Sequence, residues 1–329
     1  MSILVTGGAG YIGSHMVHAL VDAGESVVVL DDLSTGFRAA LPKAATFVEG
    51  DVGDEQLVGG LIREHGIDAI AHFAGSIIVP ESVANPLKYY LNNTVRSRAL
   101  IAAAVRGGVE AFLFSSTAAV YGEPTTPDIG EDVALAPVSP YGSSKLMTEW
   151  MLRDVAAAHK FRYAALRYFN VAGADPRGRT GQSTPNATHL IKVACQTALG
   201  QRESLSVFGT DYPTRDGTCI RDYIHVSDLA DAHVLALRHL RRGGESLTLN
   251  CGYGRGFSVL EVVDAVKRVS GIDFPVVLAD RRPGDPSALI AKADRIRSTL
   301  GWVPRFEDLD TIVTHAFQWE KALTLRHLA

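Results

Sequence analysis

Tyr141 and Lys145 stand four positions apart in Tyr141-Gly142-Ser143-Ser144-Lys145, which opens a predicted helix running to about His159. At that spacing two side chains share one helix face. A phenol has an ordinary pKa of ~10, so proton abstraction near neutrality needs a depression of ~3 units, or ~4 kcal/mol of differential stabilisation of the phenolate. An adjacent ammonium and a second cation nearby could supply it. Such pairs arise often by chance, so the spacing alone decides little. Thr117 follows the apolar run Ala111 to Ser116 and would add a hydroxyl for hydrogen-bonding a substrate. Otherwise it is a strand-end threonine with local bonds.

A second constellation opens the chain. Ile3 to Val5 reads as a short buried strand, glycines follow at 7, 10 and 13, and His15 to Ala23 reads as a helix. Strand, glycine turn and helix form the first half of a βαβ unit. Gly7 would allow the tight turn, Gly10 the approach of backbone N–H groups to a pyrophosphate, and Gly13 close helix packing. The helix N-terminus then faces the phosphates. A glycine pattern by itself is weak, but the next strand, Ser26 to Leu30, ends in Asp31, 18 residues after Gly13. That is close to the ~20 expected of the carboxylate that binds an adenosine ribose. A free carboxylate there favours NAD over its 2′-phosphorylated form. The plain alternative is a loop acid after a strand.

The elements that must position these residues follow in order. Asp32-Leu33-Ser34-Thr35-Gly36 is turn-rich and would wrap the ribose. Ala45 to Glu49 reads as a third strand, with Asp51 and Val52 at its end. Asp51 could contact adenine or cap the helix Glu55 to Glu64. Asp68 to Phe73 is a fourth strand, followed by Ala74-Gly75, small enough for the backbone to lie along a cofactor. Glu81 to Arg106 reads as a helical region broken near Pro86. Asn92 and Asn93 fit its interior poorly, so one of them should reach back to the strand ends. Ala111 to Ser116 is the fifth strand, Gly122 to Pro140 a loop, Phe161 to Arg167 the sixth strand and Ser246 to Asn250 the seventh.

This alternation predicts a Rossmann-type doubly wound parallel sheet of about seven strands, with a smaller, discontinuous C-terminal α/β substrate domain. The first unit covers 1–170 plus 222–252, Tyr223 to Val226 reading as sheet material. The second covers 171–221 plus 253–329. A length of 329 residues suits two domains. The formal net charge of −4 without a basic run argues against nucleic acid. No apolar run approaches the ~18 residues of a membrane span. Cys195, Cys219 and Cys251 lack metal-ligand spacing, and the chain starts directly in a strand. Reduced thiols, no metal and a cytoplasmic location are therefore expected.

The loop Thr6 to Ser14, the segment Phe114-Ser115-Ser116-Thr117 and the Tyr141/Lys145 pair resemble the extended short-chain dehydrogenase/reductase superfamily, and within it the UDP-glucose 4-epimerase family. The resemblance runs from about residue 2 to about 320. It includes Tyr168-Phe169-Asn170, Asp216-Gly217-Thr218 and Arg281-Arg282-Pro283-Gly284-Asp285, and is most specific over 208–226. It implies NAD held by Gly7, Gly10, Tyr11, Ile12, Asp31, Asp32, Ser34, Thr35, Gly36, Asp51, Val52, Phe73, Ala74, Gly75, Asn92, Ser115, Tyr141, Lys145, Tyr168 and Phe169. A UDP-sugar would meet Thr117, Tyr141, Asn170, His189, Leu190, Ser206, Val207, Phe208, Arg221, Arg282 and Asp285. Phe208 can stack on uracil, and each arginine can fork onto phosphate unless it pairs with a nearby acid. Tyr141 would take the proton of the sugar 4-hydroxyl while C4 gives hydride to tightly bound NAD. The 4-keto sugar would turn over and hydride return to its other face.

Two positions depart from the family. Ile77 stands where a cofactor-reaching lysine is common, and His189 where asparagine is. Leu289 occupies the position that gates N-acetylated sugars, which leaves substrate breadth open. A homodimer through the helices 81–106 and 141–159 is implied by the resemblance alone. A 4,6-dehydratase or a decarboxylase on the same scaffold is the competing enzyme reading. Dehydratases usually carry an Asp-Glu pair after the threonine, and here Ala118-Ala119 follows. A non-catalytic NAD-sensing regulator conflicts with an intact Thr117/Tyr141/Lys145 set.

Overall fold

The structure, a computed structural model, describes residues 2–184, 187–282 and 285–327. Strands that are apolar at every position must be covered on both faces. In β1 (Ser2–Thr6), Ile3, Leu4 and Val5 are all completely buried. Ile3 and Val5 face one core, with Met16, Val17 and Leu20 of α1 (Tyr11–Asp22). Leu4 faces the other, with Val28 and Leu30 of β2 (Ser26–Asp31). Each such side chain contributes roughly 1.5–3 kcal/mol by burial, so the sheet is a strong organiser of the fold.

β3 (Thr46–Glu49), α2 (Glu55–His65) and β4 (Ile67–His72) follow. After β5 (Ala111–Ser115) come α6 (Pro140–Ala158), β7 (Arg162–Tyr168) and, much later, β11 (Leu247–Cys251). The sheet runs β11-β7-β5-β4-β1-β2-β3, and every pairing is parallel. The expected seven-stranded doubly wound sheet is therefore present. Strand order reverses between β1 and β4, and the crevice above their carboxyl ends is where such sheets bind ligands.

Between β4 and β5 the helical region has four parts. They are α3 (Val79–Ala84), α4 (Pro86–Tyr89), a π-helical turn over Tyr90–Val95, and α5 (Arg96–Arg106). The break at Pro86 is as expected, with Asn85 accepting from the Lys88 N–H. The π turn was not foreseen. Such turns mark places where a helix re-aims side chains at a site, and this one contains both Asn92 and Asn93.

The second layer departs from the sequence reading in two places. Within the expected loop 122–140, β6 (Asp128–Ile129) pairs in parallel with β14 (Ala288–Ala291). β10 (Ile220–His225) does not join the large sheet. It pairs with β8 (Asn170–Ala172), with β12 (Gly256–Ser258) and with β14. The apolar character of Tyr223-Ile224 signalled burial, but not which sheet would bury it. The helix after it, α8 (Val226–Arg241), does pack into the core beside α1. α7 (Leu190–Ala198), the parallel pair β9 (Leu205–Phe208) with β13 (Val276–Ala279), α9 (Val259–Ser270), α10 (Asp294–Leu300) and α11 (Leu309–His327) complete the chain. No helix among the described residues is long and apolar enough to cross a membrane.

A Cβ on Gly13 would lie 2.1 Å from the Gly7 carbonyl oxygen, which is backbone and cannot swing away. Gly13→Ala should therefore overpack the loop and cost about 1–3 kcal/mol. A lowered urea midpoint with unchanged slope is the expected readout.

Candidate active site

At the crest of β1 the chain must turn sharply over the sheet. Gly7 does so with φ +67°, and a Cβ there would strike the Ala74 backbone nitrogen at 2.4 Å. The glycine loop thus lies directly against Phe73-Ala74 at the end of β4, joined by the bond from Phe73 N–H to the Thr6 carbonyl. Gly10 differs. A Cβ there would touch only the Gly7 oxygen, at 3.3 Å, so its space is open cradle. The first turn of α1 carries no acidic residue, which leaves its positive end free for an anion. Gly36 brings the next loop onto Ala9, and Phe37 N–H donates to the Ala9 carbonyl at 3.0 Å.

Asp31 sits buried at the end of β2. Its Oδ2 accepts from Ala9 N–H and its Oδ1 from Leu33 N–H, each at 2.9 Å. Burial pushes its carboxyl pKa up, and the two amides oppose the rise. Two anchored oxygens with spare lone pairs at the cradle's edge suit ribose hydroxyls. Asp32 accepts from the Ser34 amide at 3.0 Å and hydroxyl at 2.6 Å, ordering the segment that holds Thr35. Asp51 is not the helix cap. Asp54 caps α2, accepting from the Gln56 and Leu57 amides at 3.0 Å, while Asp51 binds Gly53 N–H and pairs with Arg96 at 2.8 Å. Val52 is buried, Ile12 packs against the core, and Phe73 lies against the His233 ring. Tyr11 donates its hydroxyl to the Gly173 carbonyl at 2.7 Å, tying the cradle to the second layer. Ile77 is half exposed and offers no polar contact.

Both asparagines of the π turn reach back, where one was expected. Asn92 donates to the Ser76 hydroxyl at 2.9 Å and accepts from Arg96 at 2.8 Å. Asn93 is buried, accepts from Ser76 N–H at 2.8 Å, and donates to the Ser76 carbonyl and Ser144 hydroxyl at 3.0 Å. Ser76 and Ser144 escaped the sequence reading. The Asn pair in a helix interior was the one signal for them.

Ser139 caps α6, its hydroxyl accepting from Gly142 N–H at 3.2 Å, and Pro140 sits in the first turn. This start delivers Tyr141 to the carboxyl end of β5, where Thr117 lies close enough to its hydroxyl to favour the phenolate. Thr117 in turn accepts from Ala119 N–H at 3.1 Å. Lys145, one turn on, is almost fully buried. It donates to the Ser115 carbonyl at 3.0 Å and its ammonium lies 4.9 Å from the Phe114 ring centre. The Ser115 hydroxyl bonds that of Tyr168, and Phe169 and Leu289 each pack on the cluster around Tyr121 and Leu146.

Burial lowers the Lys145 pKa to about 8, with the charge of Glu149 opposing. Burial raises that of Tyr141, with Thr117 opposing. Burial thus opposes the depression expected from the ammonium together with a second cation.

The remaining residues lie in the second layer. Phe208 ends β9, and the Arg282 guanidinium lies 3.9 Å from its ring centre. Arg221, buried in β10, pairs with Asp285 and donates to the Ile220 carbonyl. Of the two readings of Arg221, the structure shows the ion pair. Ser206 is exposed, whereas the Val207 side chain is fully buried and only its backbone can face a ligand. Asn170, His189 and Leu190 line one cavity with Tyr11, Gln182 and Trp319. Burial lowers the His189 pKa, which keeps the ring neutral. Leu289 pairs in register with Arg221. Pro283 and Gly284 lie outside the described residues. Among those described, no cluster of His, Cys, Asp and Glu could hold a metal.

A dinucleotide cradle at a topological switch point, with a buried Tyr-Lys pair at the next strand end, defines an enzyme of nicotinamide-dependent sugar or alcohol chemistry. The profile of the NAD dependent epimerase/dehydratase family matches residues 3–252. A UDP-glucose 4-epimerase of Azospirillum brasilense is 64% identical over 321 residues, 98% of this chain and 92% of that protein. The crystal structure of UDP-glucose 4-epimerase from Brucella ovis in complex with NAD has a TM-score of 0.94 at 45% identity, covering 97% of this chain and 98% of that one. The Stenotrophomonas maltophila UDP-glucose-4-epimerase, solved with NAD and formylated UDP-arabinopyranose, has a TM-score of 0.96 at 39% identity, covering 99% of both chains. The chain belongs to the NAD dependent epimerase/dehydratase family.

Asp31→Ala should weaken retention of NAD and relax discrimination against its 2′-phosphate. Nucleotide released on heat denaturation of purified protein measures both, and unchanged content and selectivity would remove Asp31 from the site. Tyr141→Phe should fold and keep NAD while losing most turnover, on the order of 10²-fold or more. Near-wild-type rates in that variant would make another group the base.

Proposed function

We propose that this chain is an NAD-dependent UDP-glucose 4-epimerase, interconverting UDP-galactose and UDP-glucose. The observation that carries the reading is the buried Tyr141 and Lys145 pair, with Thr117 just past the same strand end and the Lys145 ammonium on the Ser115 carbonyl, two strands across the sheet from a glycine cradle built for a dinucleotide. The cradle fits NAD: Gly10 leaves its space open, the α1 N-terminus meets pyrophosphate, and Asp31 meets ribose. When bound there, NAD supplies a hydride acceptor and donor for the sugar C4.

The chain's own groups do the rest. Thr117 holds the sugar 4-hydroxyl next to Tyr141. Tyr141 takes the proton as C4 is oxidised and returns it after the 4-keto sugar has turned. The Lys145 ammonium, positioned by the Ser115 carbonyl, favours the phenolate through its charge. Phe208 stacks on uracil, Arg221 and Arg282 bind the diphosphate, and Asp285 accepts from ribose hydroxyls. Asn170, His189 and Leu190 border the hexose. Firm contacts to the nucleotide with few to the hexose suit a reaction in which the sugar must rotate. We assign NAD to 1–170 plus 222–252 and UDP-sugar to 171–221 plus 253–329, except that β10 pairs within the second layer and Thr117, Tyr141 and Asn170 reach the sugar from the first unit.

The assembly we favour is a homodimer. Val83, Leu87, Leu91, Val95 and Trp150 are exposed apolar residues on the packed helical layer of α3 to α6, more than a solvent face normally carries. Three free, buried thiols suit a reducing compartment such as the cytoplasm.

Elimination of water across C5 and C6 needs an acid and a base beyond Tyr141 and Lys145. Ala118 and Ala119, directly after Thr117, can supply neither. With UDP-galactose deuterated at C4, the label should therefore stay at C4 in both sugars, without added NAD. Mass spectrometry and NMR of the products check this. A 4-keto-6-deoxy sugar carrying the label at C6 would make the chain a dehydratase instead, and wash-out of the label into solvent would overturn the epimerase reading.

A further inference from the structure

We infer that Glu149 is a positioning residue: through Ser116 it fixes the strand end that carries Ser115 and Thr117, and so sets Lys145 and Tyr141 against the substrate. The inference rests on the epimerase reading for the reaction it serves. Its geometry stands independently.

Glu149 lies four residues beyond Lys145 and eight beyond Tyr141, so the three share one face of α6. It is 5% exposed. A carboxylate so placed must be paired and hydrogen-bonded. Its partner is Arg167 of β7, equally buried, whose Nε donates to Oε1 at 3.0 Å and to Oε2 at 3.2 Å, and whose Nη2 donates to Oε2 at 2.5 Å. The remaining capacity of Oε1 takes the Ser116 hydroxyl at 2.5 Å. Ser116 is the residue between the two that touch the reacting pair. On one side the Ser115 carbonyl receives Lys145, and on the other Thr117 neighbours the Tyr141 hydroxyl. Ser116 N–H also donates to the Leu166 carbonyl, next to Arg167. One carboxylate therefore ties α6 to the ends of β5 and β7 at the height of the chemistry.

The far side of the tie is also saturated. Arg167 Nη1 donates to the Tyr121 hydroxyl at 3.0 Å, and Tyr121 donates to Asn250 Oδ1 at 2.7 Å. A buried ion pair is a weak source of stability, because apolar residues of the same volume often replace it at little cost. What such residues cannot replace is direction, since a bidentate guanidinium fork admits only one carboxylate orientation. The charge has a second effect. The groups facing Lys145 are Tyr141 and Glu149 on α6, the Phe114 ring and Ser115 carbonyl on β5, and His72 on β4. His72 is held neutral by burial, its pKa lowered to about 3. Glu149 is the charge that opposes desolvation of the ammonium.

Two variants test this, each assayed for UDP-galactose turnover as NAD-loaded enzyme. Each is also followed in the nucleotide-free protein by 13C NMR of the lysine Cε signals across pH, with Lys145 assigned by its loss in Lys145→Met. Ser116→Ala keeps the ion pair and cuts only the tie. Its kcat should fall about tenfold with KM within about twofold, because misplacement of reacting groups acts on the chemical step. Glu149→Gln with Arg167→Met removes both charges together. The Lys145 midpoint should fall by about one unit, and the alkaline limb of kcat should move down with it. A Ser116→Ala enzyme with wild-type kcat, or a folded double variant with an unmoved Lys145 midpoint, would reduce Glu149 to a structural tie. If the double variant fails to fold, Ser116→Ala decides. If the wild type does not turn over UDP-galactose, the epimerase reading fails, and the NMR midpoint still decides the role of Glu149.

Discussion

Keeping an ammonium almost out of water is the demand around which the site is arranged. Lys145 is 3% exposed, and a cation in such a place shifts its equilibrium towards the neutral amine unless neighbours hold the charge. The neighbours are a strand-end carbonyl, an aromatic face and a carboxylate one helical turn away. Each comes from a different constraint. The carbonyl is free because β5 ends there, the ring belongs to the core beneath, and the carboxylate is satisfied by an arginine from the adjacent strand. The balance leaves the amine near a pKa of 8, charged at neutral pH but close to release.

The large sheet explains why this cluster sits where it does. With both faces covered by helices and packed with aliphatic side chains, polar groups have room only at the strand ends. Thr6, Asp31, His72, Ser115 and Thr117 all stand at or just past the carboxyl ends of the strands that carry them. Thr6 Oγ1 and His72 Nδ1 are 2.6 Å apart, and His72 Nε2 lies 2.8 Å from the Ser97 hydroxyl, which donates to the Asn93 carbonyl. This buried chain links the glycine loop to the π turn, so the two sides of the crevice are positioned by one set of bonds.

The nucleotide end is held differently. Arg221 is engaged by Asp285, and Arg282 covers Phe208. These residues thus satisfy one another. A buried guanidinium left alone would be costly, and mutual pairing avoids that while keeping the side chains near their working positions.

Several features were legible in the sequence because they are local. Strand and helix periodicities, the glycines at 7, 10 and 13, Asp31 at a strand end and the four-residue spacing of Tyr141 and Lys145 each depend on a few neighbouring residues. Backbone geometry converts such spacings directly into faces and turns. The tertiary structure alone decided the rest. It chose which sheet takes β10, paired β6 with β14 across the chain, seated both asparagines of the π turn on Ser76, and gave Arg221 to Asp285 and Glu149 to Arg167. It also buried Tyr141, which works against its ionisation. All of these depend on contacts between residues far apart in the chain, and on how much water those contacts exclude. Neither quantity is written in the spacing of a single segment, because burial belongs to the assembled core.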